Sequence, residues 1–194
     1  MMGDDRMAER YVFLEPEVDR YFSIDPSPVG DLLLVGDGQA LTGLYIGTED
    51  RPLSVDRSLR RSDEQFRQTR EELLAYFGGD LEEFRVPLAP RGTLFQREVW
   101  QALLRIPFGE TRSYAEVAAS IGRPGSARAV GMANGRNPIS LIIPCHRVIG
   151  QDGSLTGYGW GLPRKGWLLA HEAAWKAGGP GPLPNGPMER SQGA

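Results

Sequence analysis

Apolar positions along the 194-residue chain follow two periods. Between residues 20 and 46, the short apolar stretches RYFSI, DLLLVG and LTGLYIG are separated by DPSPVG and GDGQ, and clusters of Pro, Gly and Asp are turn chemistry between strands. A three-stranded meander is expected. Further on the period lengthens. Ser62 and Gln65 have the spacing of a capping box, after which Phe66, Thr69, Leu73, Leu74 and Phe77 recur at helical intervals until Gly78 and Gly79 end the run. The stretch VPLAPRG at 86–92 then reads as a linker.

The second half is mostly helical in pattern. Thr93 with Gln96 forms a second capping box before FQREVWQALLRI, in which Phe95, Val99, Leu103 and Leu104 share a face, and Pro107 stops the helix. Ser113 with Glu116 caps YAEVAASI, closed by Gly122; after GRPG, Ser126 caps ARAVGMAN, which ends near Gly135 and Asn137-Pro138. Two short helices joined by a Gly- and Pro-containing turn fit a helix-turn-helix, and they equally fit a pair from any small bundle. Then come the apolar run ISLII, the segment PCHRV, a glycine-rich GSLTGYGWG, and a helix started by Pro163 with Trp167, Leu168, His171 and Trp175 on one face. GYGWG lacks the GK[ST] of a phosphate loop. Residues 177–194 offer too little apolar surface to offset chain entropy, so a disordered tail is expected there.

Composition narrows this picture. The length suits one domain or two small ones, and 40% hydrophobic with 24% charged residues is the make-up of a globular protein with a core. One cysteine and two histidines exclude an internal disulfide and supply too few ligands for a structural zinc, so no metal or cofactor is expected. The opening MMGDDRMAER lacks a signal-peptide core, and nowhere do about eighteen apolar residues run together, which points away from a membrane and to the cytoplasm.

Charge is unevenly spread. The net value is −3, but residues 1–90 hold 10 Arg against 19 Asp and Glu (−9), whereas residues 91–149 hold 8 Arg against 3 Glu (+5). Positive charge therefore gathers around the one cysteine. Such an excess suits phosphate binding with release of counterions, and it also suits a merely solvated basic face.

That cysteine is Cys145, between Pro144 and His146. A thiol reacts as thiolate, with an ordinary pKa near ~8.5, so a reactive Cys145 needs a base or positive charge beside it. His146 qualifies only if a tight turn brings the two side chains together, since neighbours on a strand point to opposite faces. A lone cysteine after an apolar run is otherwise a small buried hydrophobe.

Longer motifs decide between these readings. IPCHRVIGQDGSLTGYGWGLPRKGWLLAHE closely resembles the active-site region of the O(6)-alkylguanine-DNA alkyltransferases, and FQREVWQALLRIPFGETRSYAEVAASIGRPGSARAVGMANGRNP resembles their helix-turn-helix; together the resemblance covers residues 93–172. It implies an α+β fold. A ribonuclease H-like domain with a small antiparallel sheet and a helix would occupy 1–88, and a winged helix-turn-helix domain carrying the active-site cysteine would occupy 92–176. The implied partner is double-stranded DNA containing O6-alkylguanine, met by a monomer.

The resemblance also assigns residues. Cys145 would attack the alkyl carbon, His146 would take the thiol proton through a water, and Glu172 would orient the imidazole. Tyr114 would serve guanine N3, and Asn137 would tie the recognition helix to the cysteine loop. Val148, Tyr158, Gly159 and Trp160 would line the base pocket, with Trp160 penalising large alkyl groups. Because a base inside a duplex is out of reach, it must be flipped out, and Arg128 would enter the space it leaves. Ala127, Ala129, Gly131 and Ala133 would keep the helix slim enough for the minor groove, with Ser113, Met132 and Arg136 on the same DNA-facing side. Two other readings stand beside this one: a lesion-flagging protein that transfers nothing, and a Cys-His hydrolase with an oxyanion hole and turnover.

Overall fold

The computed structural model describes residues 13–179 and 181. The expected meander forms strands β1 (Tyr21–Asp25), β2 (Leu32–Gly36) and β3 (Leu41–Ile46), paired antiparallel with Tyr21 opposite Gly36 and Leu32 opposite Ile46. Every residue of β2 is buried, as a central strand requires. A fourth strand, β4 (Arg60–Arg61), pairs in parallel with β1, giving the order β3-β2-β1-β4. Two exposed arginines carry no alternation of apolar and polar positions, so the hydrophobic pattern could not reveal it.

β4 also displaces the expected cap. The Ser62 amide donates to Phe22 O at 2.9 Å, extending the β1–β4 pairing, and a 3₁₀ turn at Glu64–Phe66 leads into helix α1 (Arg67–Gly78) without a side-chain cap. The capping box at Ser62 and Gln65 is therefore not formed. The turn buries Phe66 and α1 buries Thr69, Leu73 and Tyr76, whereas Leu74 is 72% exposed; the inward stripe takes Tyr76 in its place. Gly79 ends the helix in the left-handed region, at φ +81°.

The stretch at 86–92 is not a solvated linker. Val86, Leu88 and Ala89 are buried, and Leu41 N donates to Pro87 O while Ala89 N donates to Leu41 O, each at 2.9 Å. Apolar side chains at alternate positions give it a reason to pack against β3. Helix α2 (Leu94–Leu104) then begins with the expected capping box of Thr93 and Gln96, and buries Val99, Trp100 and Leu103. The short strand β5 (Arg112–Ser113) precedes helix α3 (Tyr114–Ser120), also box-capped, by Ser113 and Glu116.

Helix α4 (Ala127–Gly135) follows α3 after a turn through Gly122 and Gly125, both at positive φ, and completes a helix-turn-helix. Ser126 stands at its N-cap without a side-chain hydrogen bond, which corrects the expected cap. Strand β6 (Val148–Ile149) pairs in parallel with β5, and helix α5 (Leu162–Lys176) closes the fold, with Pro163 in its first turn. The tail expected at 177–194 lies outside the described residues except for 177–179 and 181.

One hydrophobic core runs through both halves, from Leu34 and Leu44 of the sheet to Val99, Val130, Ile143 and Leu168 of the helical part. Leu44 N donates to Pro138 O at 2.9 Å and Ser140 N donates to Leu44 O at 3.1 Å, so the run 138–140 covers the outer edge of β3. That edge fixes where the cysteine segment begins.

Candidate active site

The apolar run at 139–143 is a series of tight turns, all of it buried. Ile142 N donates to Ser140 O and Cys145 N donates to Ile143 O, each at 2.8 Å across two residues. Between them Leu141 sits at φ +69°, the one described non-glycine residue at positive φ. For a bulky side chain that conformation costs roughly 1–2 kcal/mol, and it is held by the surrounding core. Cys145, His146 and Arg147 then form a single 3₁₀ turn, which breaks the strand geometry that would have separated neighbouring side chains.

Cys145 is only 4% exposed, yet it lines a cavity of about 300 Å³. Asn134, Asn137 and Arg136 approach this cavity from the end of α4, Tyr158, Gly159 and Trp160 from the glycine-rich loop, and Tyr45 and Arg51 from the sheet side. Burial pushes the thiol above its ordinary pKa, against the opposing pull of the Asn137 side chain and the Lys165 ammonium. The resting site therefore holds a thiol, and a base must take its proton.

His146 is buried behind it. Its Nε2 lies 2.7 Å from Glu172 Oε1, and its Nδ1 has no hydrogen-bond partner among the described residues. Glu172 has no exposed surface and is ionised: burial alone would raise its pKa, but His146 and Arg147 outweigh it and hold the carboxyl well below the usual range. A carboxylate only accepts hydrogen bonds, so Nε2 carries the proton and Nδ1 is left with a lone pair. Burial also pulls His146 below the ordinary imidazole pKa, against the upward pull of Glu172. The imidazole is thus neutral near pH 7 and able to act as a base.

Several members of this arrangement escaped the sequence reading. Arg147 grips Glu172 through Nε at 2.9 Å and Nη2 at 3.0 Å, a two-pronged contact from a side chain that the pattern left as one more surface arginine. The Gly109 amide donates to Glu172 Oε2 at 3.0 Å, and the Tyr76 hydroxyl donates to Oε1 at 2.8 Å. Lys165 is buried and donates to Val148 O and Thr156 O; burial brings its pKa down to about 8. Asn134, also buried, donates to Cys145 O at 3.3 Å. Only a helical wheel of α4 with Asn134 turned inward could have suggested it.

The remaining expected residues fall on two sides. Asn137 donates to Ile143 O at 2.8 Å and accepts from Ile139 N at 3.0 Å, so it ties the end of α4 to the turns before Cys145. Tyr114 donates to Thr156 O at 3.1 Å, and its hydroxyl stands against Gly157 at the cavity rim. Val148 is buried in β6, and the Tyr158 hydroxyl has no hydrogen-bond partner among the described residues. Gly159 O accepts from Arg51 Nη1 at 3.0 Å, while Trp160 Nε1 donates to Ser140 Oγ at 2.7 Å and its ring meets Tyr45 edge-on.

On α4 the outward residues are Arg128, Met132 and, just past its end, Arg136, flanked by the half-buried Ala127, Ala129 and Gly131. Ala133 departs from that face. It is buried and its carbonyl accepts from Trp100 Nε1 at 2.9 Å, because a residue three positions after Val130 returns to the core side. Ser113 is likewise buried, with its hydroxyl accepting from Glu116 N in the α3 cap. Part of the local arginine excess is neutralised in place: Arg91, Arg97, Arg112, Arg123 and Arg147 are paired with carboxylates. Arg128 and Arg136 are exposed and, among the described residues, form no salt bridge. No group of three or more His, Cys, Asp or Glu among the described residues is placed to hold a metal, and no helix is long and apolar enough to cross a membrane.

Fold and site together define a helix-turn-helix protein whose single thiol opens into a cavity at the end of the second helix, backed by an imidazole–carboxylate relay. Two family models match in tandem, the ribonuclease-like domain of 6-O-methylguanine DNA methyltransferase at residues 18–90 and its DNA binding domain at 94–174. A methylated-DNA–protein-cysteine methyltransferase of Methanosarcina acetivorans is 49% identical, over 79% of this chain and 99% of the relative, and one of Mycobacterium tuberculosis is 53% identical, over 78% and 91%. The crystal structure of Mycobacterium tuberculosis OGT in complex with DNA superposes with a TM-score of 0.75 at 49% identity, covering 82% of this chain and 95% of that one. The chain belongs to the 6-O-methylguanine DNA methyltransferase family.

Proposed function

We propose that this protein repairs O6-alkylguanine in double-stranded DNA by moving the alkyl group onto Cys145, once per molecule. The thiol proton passes to Nδ1 of His146 through a water, the sulfur attacks the alkyl carbon, and the carbon–O6 bond breaks with its electron pair going to guanine. Tyr114 supplies a hydrogen bond or proton at N3, since a purine anion is a poor leaving group. The product is a thioether. Water has no leaving group to displace from it, so the protein is spent.

The observation that carries this reading is the thiol at the wall of a cavity with a neutral imidazole and an ionised carboxylate behind it. The base would lie between the Cys145–Val148 turn and the loop at Tyr158–Trp160. Guanine's exocyclic amine would approach the carbonyls of 145 and 148; the first already accepts from Asn134 and from Val148 N and the second from Lys165, so at 145 the amine shares an occupied acceptor. Arg128, Met132 and Arg136, with Ala127, Ala129 and Gly131, form the face offered to DNA, Arg128 filling the gap left by the extruded nucleotide. We read the chain as two parts, 1–88 and 92–176, acting as a monomer in the cytoplasm and needing no cofactor.

Incubation with an oligonucleotide containing O6-methylguanine, followed by intact mass measurement, tests the reading. One added methyl on Cys145 and a restored guanine are expected. Cys145→Ser should abolish transfer and leave DNA affinity nearly unchanged. Tight binding with no mass change would instead mark a protein that only flags lesions, and repeated turnover of an ester would mark a hydrolase.

A further inference from the structure

The carboxylate of the relay is held from the far side of the molecule. Tyr76 lies on α1, and its hydroxyl donates to Glu172 Oε1, the same oxygen that receives His146 Nε2. The tyrosine has no exposed surface. Its ring packs against Phe77, Phe84, Phe108 and the His171 imidazole, with centroids 5.2–6.0 Å apart. Its backbone carbonyl faces His171 Nε2 at 3.0 Å, one residue before Glu172. Three contacts thus lock the end of α1 to α5: a side-chain hydrogen bond, a backbone contact and an aromatic cluster. Packing alone would be served by phenylalanine, and the hydroxyl is aimed at the one atom through which the carboxylate acts on the imidazole.

We propose that Tyr76 is a positioning residue of the alkyl-transfer site, its hydroxyl sharing Glu172 Oε1 so that His146 stays neutral and ready to accept the thiol proton. The proposal rests on the functional reading above and adds that the N-terminal part completes the relay. A carboxylate stripped of donors concentrates its charge on the oxygen that faces His146 and so favours the imidazolium, which is no base. Each donor on that oxygen spreads the charge and favours the neutral ring. The groups facing the imidazole are Glu172 and Lys165 from α5, Arg147 from its own turn, and, through Glu172, Tyr76 from α1. Burial, Arg147 and Lys165 press the ring toward neutrality while Glu172 opposes them. Tyr76 tempers the opposing member.

Tyr76→Phe keeps the aromatic contacts and removes the donor. Transfer requires neutral His146, so the rate rises with pH through the imidazole pKa; loss of the hydroxyl raises that pKa and moves the acid limb to higher pH. A shift on the order of one pH unit is expected, from the strength of one hydrogen bond to a charged group. The chain has two histidines; Tyr76→Phe keeps both contacts of His171, to the backbone carbonyl and to the ring at 76, so His171 serves as internal reference while the His146 imidazole is titrated by NMR. A purely structural role would lower the melting temperature and leave both the rate profile and the His146 titration superimposable on those of the unsubstituted protein; that result overturns the proposal. Should Tyr76→Phe fail to fold, the unsubstituted protein answers the question. A slowly exchanging Tyr76 hydroxyl proton with a cross-peak to the His146 Nε2 proton is expected, and its absence is equally fatal. Failure of the unsubstituted protein to accept a methyl would sink the functional reading, while the His146 titration would still report on Tyr76.

Discussion

Glu172 receives five hydrogen bonds, from Tyr76, Gly109, His146 and, twice, Arg147, with no surface left for water. A buried charge of this kind is costly unless paired, and breaking the pair from one side strands the other. Glu172→Gln should therefore destabilise the protein by about 3–5 kcal/mol, chiefly because Arg147, 7% exposed, loses its counter-charge. The same contacts set a pH dependence. Because the folded-state pKa lies below the ordinary 4.5, the stabilisation is fully present above 4.5 and is lost as pH falls through the depressed folded value. Urea unfolding of both proteins across the acid range checks this: the gap between them should be constant near neutrality and narrow progressively as pH falls below about 4.5. Resemblance to a family made the His146–Glu172 pair legible in the sequence. Arg147, Tyr76 and Gly109 were not, since a charged residue beside a cysteine, an aromatic on a helix and a glycine after a helix each have ordinary surface or packing uses, and only their convergence gives them this one.

At the scale of elements, capping chemistry and helical spacing were the most legible signals. Thr93 and Ser113 close capping boxes where the sequence places them, whereas Ser62 does not, its amide being committed to the unforeseen strand β4. Local signals fail where a long-range hydrogen bond competes for the same group. Helix α4 illustrates the next step. Val130, Ala133 and Asn134 face inward, Asn134 holding Cys145 O, while Arg128 and the 57%-exposed Met132 face outward. One helix thus joins the offered surface to the reactive turn, and a basic side chain on its outer face can act on DNA without touching the thiol. Arg128→Ala should consequently slow methyl transfer from duplex DNA by tenfold or more, an effect of about 1.4 kcal/mol or larger, and leave reaction with free O6-benzylguanine nearly unchanged. Parallel single-turnover rates on the two substrates make the comparison; equal slowing on both would remove Arg128 from base extrusion.

Charge and composition divide the chain at about residue 90, where the two matched domains also meet, yet long-range bonds tie the two parts together. The run 138–140 bonds to β3, Arg164 Nε donates to Val29 O at 2.7 Å, and Arg51 reaches Gly159 O in the loop beside the cavity. Tyr76 crosses the same boundary to Glu172. Sequence patterns report each element's own period and cannot report which edges meet, so the acidic half looked separable when its sheet edge and its one helix are finished by the other half. Unfolding either part alone would expose the outer edge of β3 and separate Tyr76 from Glu172. Cooperative loss of both in one step is therefore expected. All four tryptophans lie in the second half, at 100, 160, 167 and 175, so their fluorescence follows that part, whereas far-ultraviolet circular dichroism follows both. Denaturant midpoints from the two probes should coincide. A circular dichroism transition preceding the fluorescence change would mean that the sheet melts on its own, and the contacts across β3 would then contribute too little to couple the halves.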